Sequence, residues 1–480
     1  MDLTFTSVKD NDMKTHLRLL VAAAGAALLL SAPLRSAPAT DAQPLVAYTR
    51  VEDAGFSPVA LEAAREFADR NNAAAVVALY RGRVVASWGA VDRRLMAHSI
   101  RKTLASALYG IASQAGTLPM TATLATLGID DEPPLTADER QATVRDLVRA
   151  RSGVYHGAAY ADAGQEKDRP ARGSHAPGTF WFYNNWDFNV LETIYARVTH
   201  SSVYDAFARQ IATPLGMEDF SPVEQLEVLE PSRSRFAAHT FRISARDLAR
   251  FGQLYLQQGQ WNGAEIVPAA WVRDSWTTHS VTGEHEGYGN LWWIFNSGAL
   301  GANFPTLNAM DVYLARGTGG QALFVIPAAE MVIVHRGDTD HNRPVSGPAI
   351  WQLVERLVAA RTNTPVERPV LGAVVTERLA NVLPATREPA FIAMTPDITS
   401  RLVGDYGPAG GPTSRVFVFD GRLFLSAPGE GEAELSAVSP LSFVVRSQPG
   451  IAVRFTTNAD GSIAGAEIQI GARTLKAPRR

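Results

Sequence analysis

Apolar and polar positions change period several times along this 480-residue chain, and the changes mark out its elements. Ser57-Pro58 reads as an N-cap followed by proline at the first helical position, after which Leu61, Ala64, Phe67 and Ala68 recur at helical spacing. Two β-rich runs, 75–80 and 84–88, flank Arg81-Gly82-Arg83 and predict a hairpin. Leu104, Leu108, Ile111 and Ala112 form the buried stripe of a second helix. From about 116 to 296 the pattern is mostly helical with long loops, and 247–252 lies in one of those helices. Strand character returns at 322–326 and 331–335, interrupted by Pro327, and a helix with Ile350, Trp351, Val354 and Leu357 on one face follows. Strands from both ends thus flank a helical middle. Residues 45–360 are therefore expected to form an α+β domain: an antiparallel sheet flanked by helices, with an inserted helical subdomain.

The pattern loosens over 361–395, where Pro365, Pro369, Pro384 and Pro389 recur, and this segment reads as a linker. Short alternating strands fill 396–480. Runs at 415–419 and 423–426 flank Asp420-Gly421, and 443–446, 453–456 and 466–470 continue the series, with a turn at 458–461. A small all-β, barrel-like domain is expected there.

Composition narrows the function classes. A net charge of −3 gives no reason to expect a nucleic-acid partner. The absence of cysteine excludes disulfides, thiolate metal sites, a cysteine nucleophile and a lipobox anchor, and leaves the redox compartment open. At the amino terminus, Lys14, His16 and Arg18 precede an apolar run, 19–32, and then Ala37-Pro38-Ala39. That order of basic, apolar and small-x-small segments reads as a signal peptide over residues 1–39, with Met13 as an alternative start. The run is shorter than the roughly 20 residues of a membrane span, although an uncleaved anchor shares the pattern. The expectation is an exported protein, periplasmic or secreted, with no stable membrane insertion after cleavage.

Candidate chemistry begins at Ser99-Ile100-Arg101-Lys102. Three residues is close to one helical turn, so both side chains share a face. A lysine there can take the serine proton if its own charge is suppressed. Lysine is scarce, the full set being Lys9, Lys14, Lys102, Lys167 and Lys476. Taken alone, the pair is weak evidence, because a serine three positions before some lysine arises by chance roughly one time in three, and Ser99 also reads as a plain helix cap. Two further segments follow in order: 177–186, containing Tyr183-Asn184-Asn185, and Ala315-Arg316-Gly317-Thr318-Gly319-Gly320-Gln321. Tyr155 and His156, after the Ser152-Gly153 turn, are candidates to line a substrate pocket; Trp292 and Trp293 fit either a pocket or the core. His335, Asp338, Asp340 and His341 lack ligand spacing and read as a solvated loop. No Gly-x-Ser-x-Gly elbow and no phosphate-binding loop with its lysine occurs.

The ordered series Ser99-x-x-Lys102, Tyr183-x-Asn185 and Arg316-Gly317-Thr318 resembles the serine β-lactamase and penicillin-binding-protein superfamily. Its likeness is to the class C-like branch of esterases, D-amino peptidases and 6-aminohexanoate-dimer hydrolases. The segments 142–147 and 151–156 share it, so that it runs over about 45–360. The resemblance implies a serine hydrolase working through an acyl-enzyme on an ester or amide of a small or peptide-like substrate, with no metal or organic cofactor. Ser99 is the implied nucleophile. Lys102 and Tyr183 move its proton as a coupled pair, with the choice of base left open. Asn185 hydrogen-bonds Lys102 or the substrate carbonyl, and the Thr318 N–H joins that of Ser99 in an oxyanion hole. The usual third-motif cation is missing, since Ala315 stands in its place, and Arg316 as a strand neighbour points to the opposite face. That departure weighs against the alternatives of a β-lactamase or D-Ala carboxypeptidase. A non-turning-over acyl-binding sensor or structural module is the further alternative. The carboxy-terminal segment resembles the small β modules that follow the hydrolase domain in some relatives, through 402–406 and 419–423.

Overall fold

The computed structural model describes residues 44–428 and 431–480; the expected signal segment lies outside them. A ten-stranded sheet forms the centre. Its strands are β1 (Val46–Tyr48), β2 (Ala73–Tyr80), β3 (Arg83–Gly89), β4 (Ser280–Val281), β5 (Gly287–Tyr288), β6 (Trp293–Phe295), β7 (Val312–Gly317), β8 (Gln321–Ile326), β9 (Met331–Gly337) and β10 (Leu371–Ala373). They lie in the order β4-β5-β6-β7-β8-β9-β2-β3-β1-β10. All pairings are antiparallel except β1 with β3, which meet in parallel at Ala47 and Val84. The β2–β3 turn has Arg81 and Gly82 both at positive φ, 52° and 73°, the twist-compatible geometry of a two-residue hairpin.

Helices α1 (Pro58–Arg70), α2 (Ile100–Gln114), α3 (Asn185–Thr199), α4 (Ala245–Leu256) and α5 (Gly347–Ala359) frame the sheet. Alternation along β8 and β9 assigns the faces. Leu323 and Val332 meet α4 so closely that a Cβ on Gly252 would lie 2.5 Å from Val332 and 2.7 Å from Leu323. Phe324 points the other way, edge-on to Trp351 of α5, with ring centroids 5.0 Å apart. Helices α2 and α3, with the loops between them, supply the inserted helical part.

Strands β4 to β6 lie in the region read as helical. Their runs are only two or three residues long, so no sustained alternation marks them. His335 is likewise no part of a solvated loop: it is buried on β9, its Nδ1 bonded to the Gly320 carbonyl at 2.7 Å. Asp340 pairs with Arg242 and Asp338 with His341.

Segment 361–395, expected as a linker, runs against the sheet edge. It contributes β10, buries Leu379, and exchanges backbone hydrogen bonds between Glu377 and both Ser87 and Gly89. Beyond it, β11 (Gly404–Tyr406), β12 (Ser414–Phe419), β13 (Arg422–Ala427) and β14 (Gly431–Glu434) form one antiparallel sheet. A second contains β15 (Ser436–Ser439), β16 (Ser442–Val444), β17 (Ile451–Thr457), β18 (Ile463–Ile470) and β19 (Arg473–Pro478). The chain passes from one to the other at Leu435, and a bridge between Tyr406 and Arg479 joins β11 to the end of β19. The two sheets therefore close on one core, which includes Tyr406, Phe443 and Phe455.

Candidate active site

Ser99 sits at the first turn of α2, and its side chain makes no cap bond there. Its hydroxyl is instead hydrogen-bonded to Lys102 Nζ at 2.8 Å. The amine is buried and lies 4.7 Å from the ring centroid of Tyr183 and 4.9 Å from that of Phe188. Burial, reinforced by the charge of Arg101, pulls the Lys102 pKa well below its ordinary value; Glu192 and Asp162 oppose this less strongly. The shift is toward the neutral amine, the form with a lone pair to accept a proton.

Tyr183 is delivered by the start of α3. Asn184 caps that helix, its side chain accepting the Trp186 N–H, while its amide donates to the Val154 carbonyl and to Asp187. The preceding residue, Tyr183, is thereby directed at Ser99. Burial raises the Tyr183 pKa, and a hydrogen bond with Ser99 and the charges of Arg101 and Arg316 lower it, leaving a net rise. The group is a neutral phenol.

Behind this cluster lies a buried ion network. Arg101 bonds Glu192 and Asn189, and the second oxygen of Glu192 accepts from the His239 backbone and lies 3.1 Å from its Nδ1. Both Arg101 and Glu192 are almost fully buried, so the network ties α2 to α3.

The third segment closes the cleft. Leu314 and Arg316 share one face of β7, and Gly317 faces the other, toward α2. A Cβ on Gly317 would lie 2.4 Å from the Ala97 carbonyl oxygen and 3.1 Å from the Ser99 nitrogen. Only hydrogen fits there, which is why the strand can approach the helix start. Thr318, exposed beyond the strand end, lines the same cleft as Ser99.

This cleft has a volume of about 440 Å³. Ser99, Tyr183, Asp162 and Gln165 are among its polar lining residues, and Phe324, Ile350 and Trp351 among its apolar ones. It wraps around the end of β7, so both faces of the strand contribute. Arg316 therefore lines it despite pointing away from α2. Its guanidinium stacks 3.6 Å from the Trp293 ring centroid and pairs with Glu286 at 2.8 Å. Trp293 lines the cleft, whereas Trp292 is a core residue against Tyr255.

Three expected site residues lie elsewhere. The Asn185 amide donates to the Tyr160 carbonyl and its oxygen accepts from Gln165, so its polar atoms are engaged away from Lys102. The Tyr155 hydroxyl meets His175 and its ring packs edge-on to Phe182, outside the cleft. His156 is buried between Asp131 and Glu139, 3.8 and 3.9 Å away. Adjacency to a turn did not place these two in the pocket, because the turn folds inward. Asp162, Gln165 and the α5 residues carried no sequence signal for the site; a short helix with its cap and a core-type helix stripe concealed them.

Among the described residues no cluster of His, Asp or Glu fits a metal ion, and no helix is long and apolar enough to cross a membrane.

The family model described as Beta-lactamase matches residues 60–352. No curated protein sequence matches the chain. Among solved structures, a Bacillus anthracis protein assigned as a 6-aminohexanoate-dimer hydrolase is 22% identical, with a TM-score of 0.50 over 67% of this chain and 88% of its own. A penicillin-binding-protein homolog from Caulobacter crescentus is 16% identical, with a TM-score of 0.47 over 64% and 99% of the two chains. The octameric penicillin-binding-protein homologue from Pyrococcus abyssi is 14% identical, with a TM-score of 0.46 over 87% and 99%. These likenesses concern the fold.

Proposed function

The chain belongs to the Beta-lactamase family, whose members are serine hydrolases, and from that premise we propose that it is an exported enzyme cleaving an ester or amide through an acyl-enzyme on Ser99. The observation that carries the reading is the 2.8 Å contact between Ser99 Oγ and the buried Lys102 amine. An aliphatic hydroxyl needs an adjacent base to attack at neutral pH, and a lysine stripped of its charge is one. Ser99 Oγ bonds to the substrate carbonyl carbon while its proton passes to Lys102 Nζ. The resulting oxyanion is held by the Ser99 and Thr318 N–H groups. Tyr183 hands its phenolic proton to the departing alcohol or amine as the C–O or C–N bond breaks, and is reprotonated from Lys102. Water then attacks the acyl ester, its proton returning through the same pair to Ser99 Oγ, and the acid leaves.

Arg316 bears on the substrate. Its charge is paired with Glu286 and its face is covered by Trp293. It therefore offers no free cation for a β-lactam or peptide carboxylate, which favours a neutral ester or amide over penicillin recognition.

Intact-protein mass spectrometry with a fluorophosphonate tests the assignment. One adduct is expected on the wild type and none on Ser99→Ala; an adduct on both, or on neither, overturns it. A single equivalent of p-nitrophenol from an ester without steady turnover would replace the enzyme reading by that of an acyl-binding sensor.

A further inference from the structure

Two residues beside the reactive serine hold an unusual backbone conformation. His98, immediately before Ser99, has φ 48°, and Tyr160, just before the short helix 163–168 whose cap Asp162 and whose Gln165 line the cleft, has φ 62°. Neither is glycine, and such conformations persist in side-chain-bearing residues only where surrounding contacts enforce them. Here the enforcing contacts are mutual. The Tyr160 hydroxyl is hydrogen-bonded to His98 Nδ1 at 2.7 Å, and the two rings lie parallel, with a 1° interplanar angle and centroids 6.1 Å apart. On its other edge, His98 Nε2 is hydrogen-bonded to Thr339 Oγ1 at 3.0 Å.

Each partner is itself anchored in a different segment of the chain. Tyr160 donates its backbone N–H to Glu230 at 2.8 Å and accepts the Asn185 amide on its carbonyl. Thr339 packs so tightly on the glycine turn after β7 that a Cβ on Gly319 would lie 2.1 Å from its methyl group. That turn holds Thr318. The His98 ring is thus the point where the start of α2, the segment before Asp162 and the turn bearing the second oxyanion donor are joined.

We propose that His98 is a positioning residue: clamped between Tyr160 and Thr339, it holds the Ser99 amide and hydroxyl in register with the Thr318 turn. The inference rests on Ser99 being the nucleophile. Both ring nitrogens are engaged by hydroxyl groups, so the imidazole has no free nitrogen to take a proton from substrate. Burial, helped by the Arg336 charge, lowers its pKa to about 4, in keeping with a neutral ring in this clamp.

The test is a double-mutant cycle on the full chain. Tyr160→Phe removes one hydroxyl from the clamp. His98→Asn removes the ring but keeps a residue type that tolerates positive φ. Misplacement by a fraction of an ångström to 1 Å costs up to about 100-fold in rate. The expected results are kcat lowered about 10-fold in Tyr160→Phe and about 10- to 100-fold in His98→Asn, with KM within threefold of wild type. The double variant is expected to be no slower than His98→Asn alone, and the melting temperature of Tyr160→Phe to match wild type. Wild-type kcat in Tyr160→Phe, independently multiplying losses, or a loss confined to KM would overturn the proposal. Should His98→Asn fail to fold, Tyr160→Phe with Thr339→Val completes an equivalent cycle. Fluorophosphonate labelling separates the two levels: slower labelling of Ser99, reaching one equivalent, isolates a positioning defect, whereas no labelling of the wild type sinks the nucleophile assignment itself.

Discussion

Replacing Gly317 by alanine perturbs the site at one defined point. The added Cβ would lie 2.4 Å from the Ala97 carbonyl oxygen, 3.1 Å from His98 Cβ and 3.1 Å from the Ser99 nitrogen, where ordinary contact begins at 3.4 Å. Strand and helix start must therefore separate by about 1 Å. Two of the three obstructing atoms are backbone, so no side chain can swing aside. Gly317 does not occupy the left-handed region, so the effect is one of space rather than of backbone conformation. A 1 Å displacement between nucleophile and oxyanion donor costs about 100-fold in turnover, comparable to deleting one such donor outright. The accompanying overpacking is worth about 1–3 kcal/mol of stability, small enough for a large domain to remain folded. Steady-state hydrolysis of a p-nitrophenyl ester, alongside a thermal melt, measures both. Gly283→Ala, whose Cβ would meet only Glu286 Cβ at 3.9 Å, serves as the control. A folded Gly317→Ala enzyme with kcat within threefold of wild type would refute the idea that β7 and the Ser99 turn must touch for catalysis.

Glu192→Gln leaves the buried Arg101 charge without its carboxylate and is expected to destabilise the fold by about 3–5 kcal/mol, read as a lowered denaturant midpoint. His239 supplies a pH dependence: burial alone would lower its pKa, but hydrogen bonds to Glu192 and Glu227 outweigh it and raise the value from 6.5 to about 9. Because the folded value exceeds the unfolded one, this stabilisation is full below about pH 6.5 and is lost as pH rises through 9; it amounts to at most about 3 kcal/mol. Denaturant titrations across that window are expected to show the decline in the wild type and not in His239→Asn.

The helix and hairpin framework was readable because its signals are local. The Ser57 cap, the 81–83 turn and the Asp420-Gly421 turn each act through a few neighbouring residues, and the structure has a helix beginning at Pro58 and positive φ at Arg81, Gly82, Asp420 and Gly421. Ser99 and Lys102 were readable for the same reason, being one turn apart on one helix. The sheet edge at β4 to β6 was not, since strands of two or three residues give no period to detect. Nor were the positions of Asn185 and His156, whose partners Tyr160 and Asp131 lie 25 residues away in sequence in each case. Arg316 shows a third kind of gap. Its orientation on the strand followed from alternation, but the cleft's path around the strand end depends on α5, which enters the chain thirty residues later.

The strap of β10 has a bearing on how the molecule is made. Strand β1 meets β3 at only one residue pair but is matched along its whole length by 371–373. A nascent chain extrudes Val46 long before Leu371 exists, so this corner of the sheet stays raw until synthesis has passed the hydrolase region altogether. A stop codon placed just after α5 would yield a product that keeps Ser99, Lys102 and Tyr183 yet carries an unzipped border, open to pairing with its neighbours.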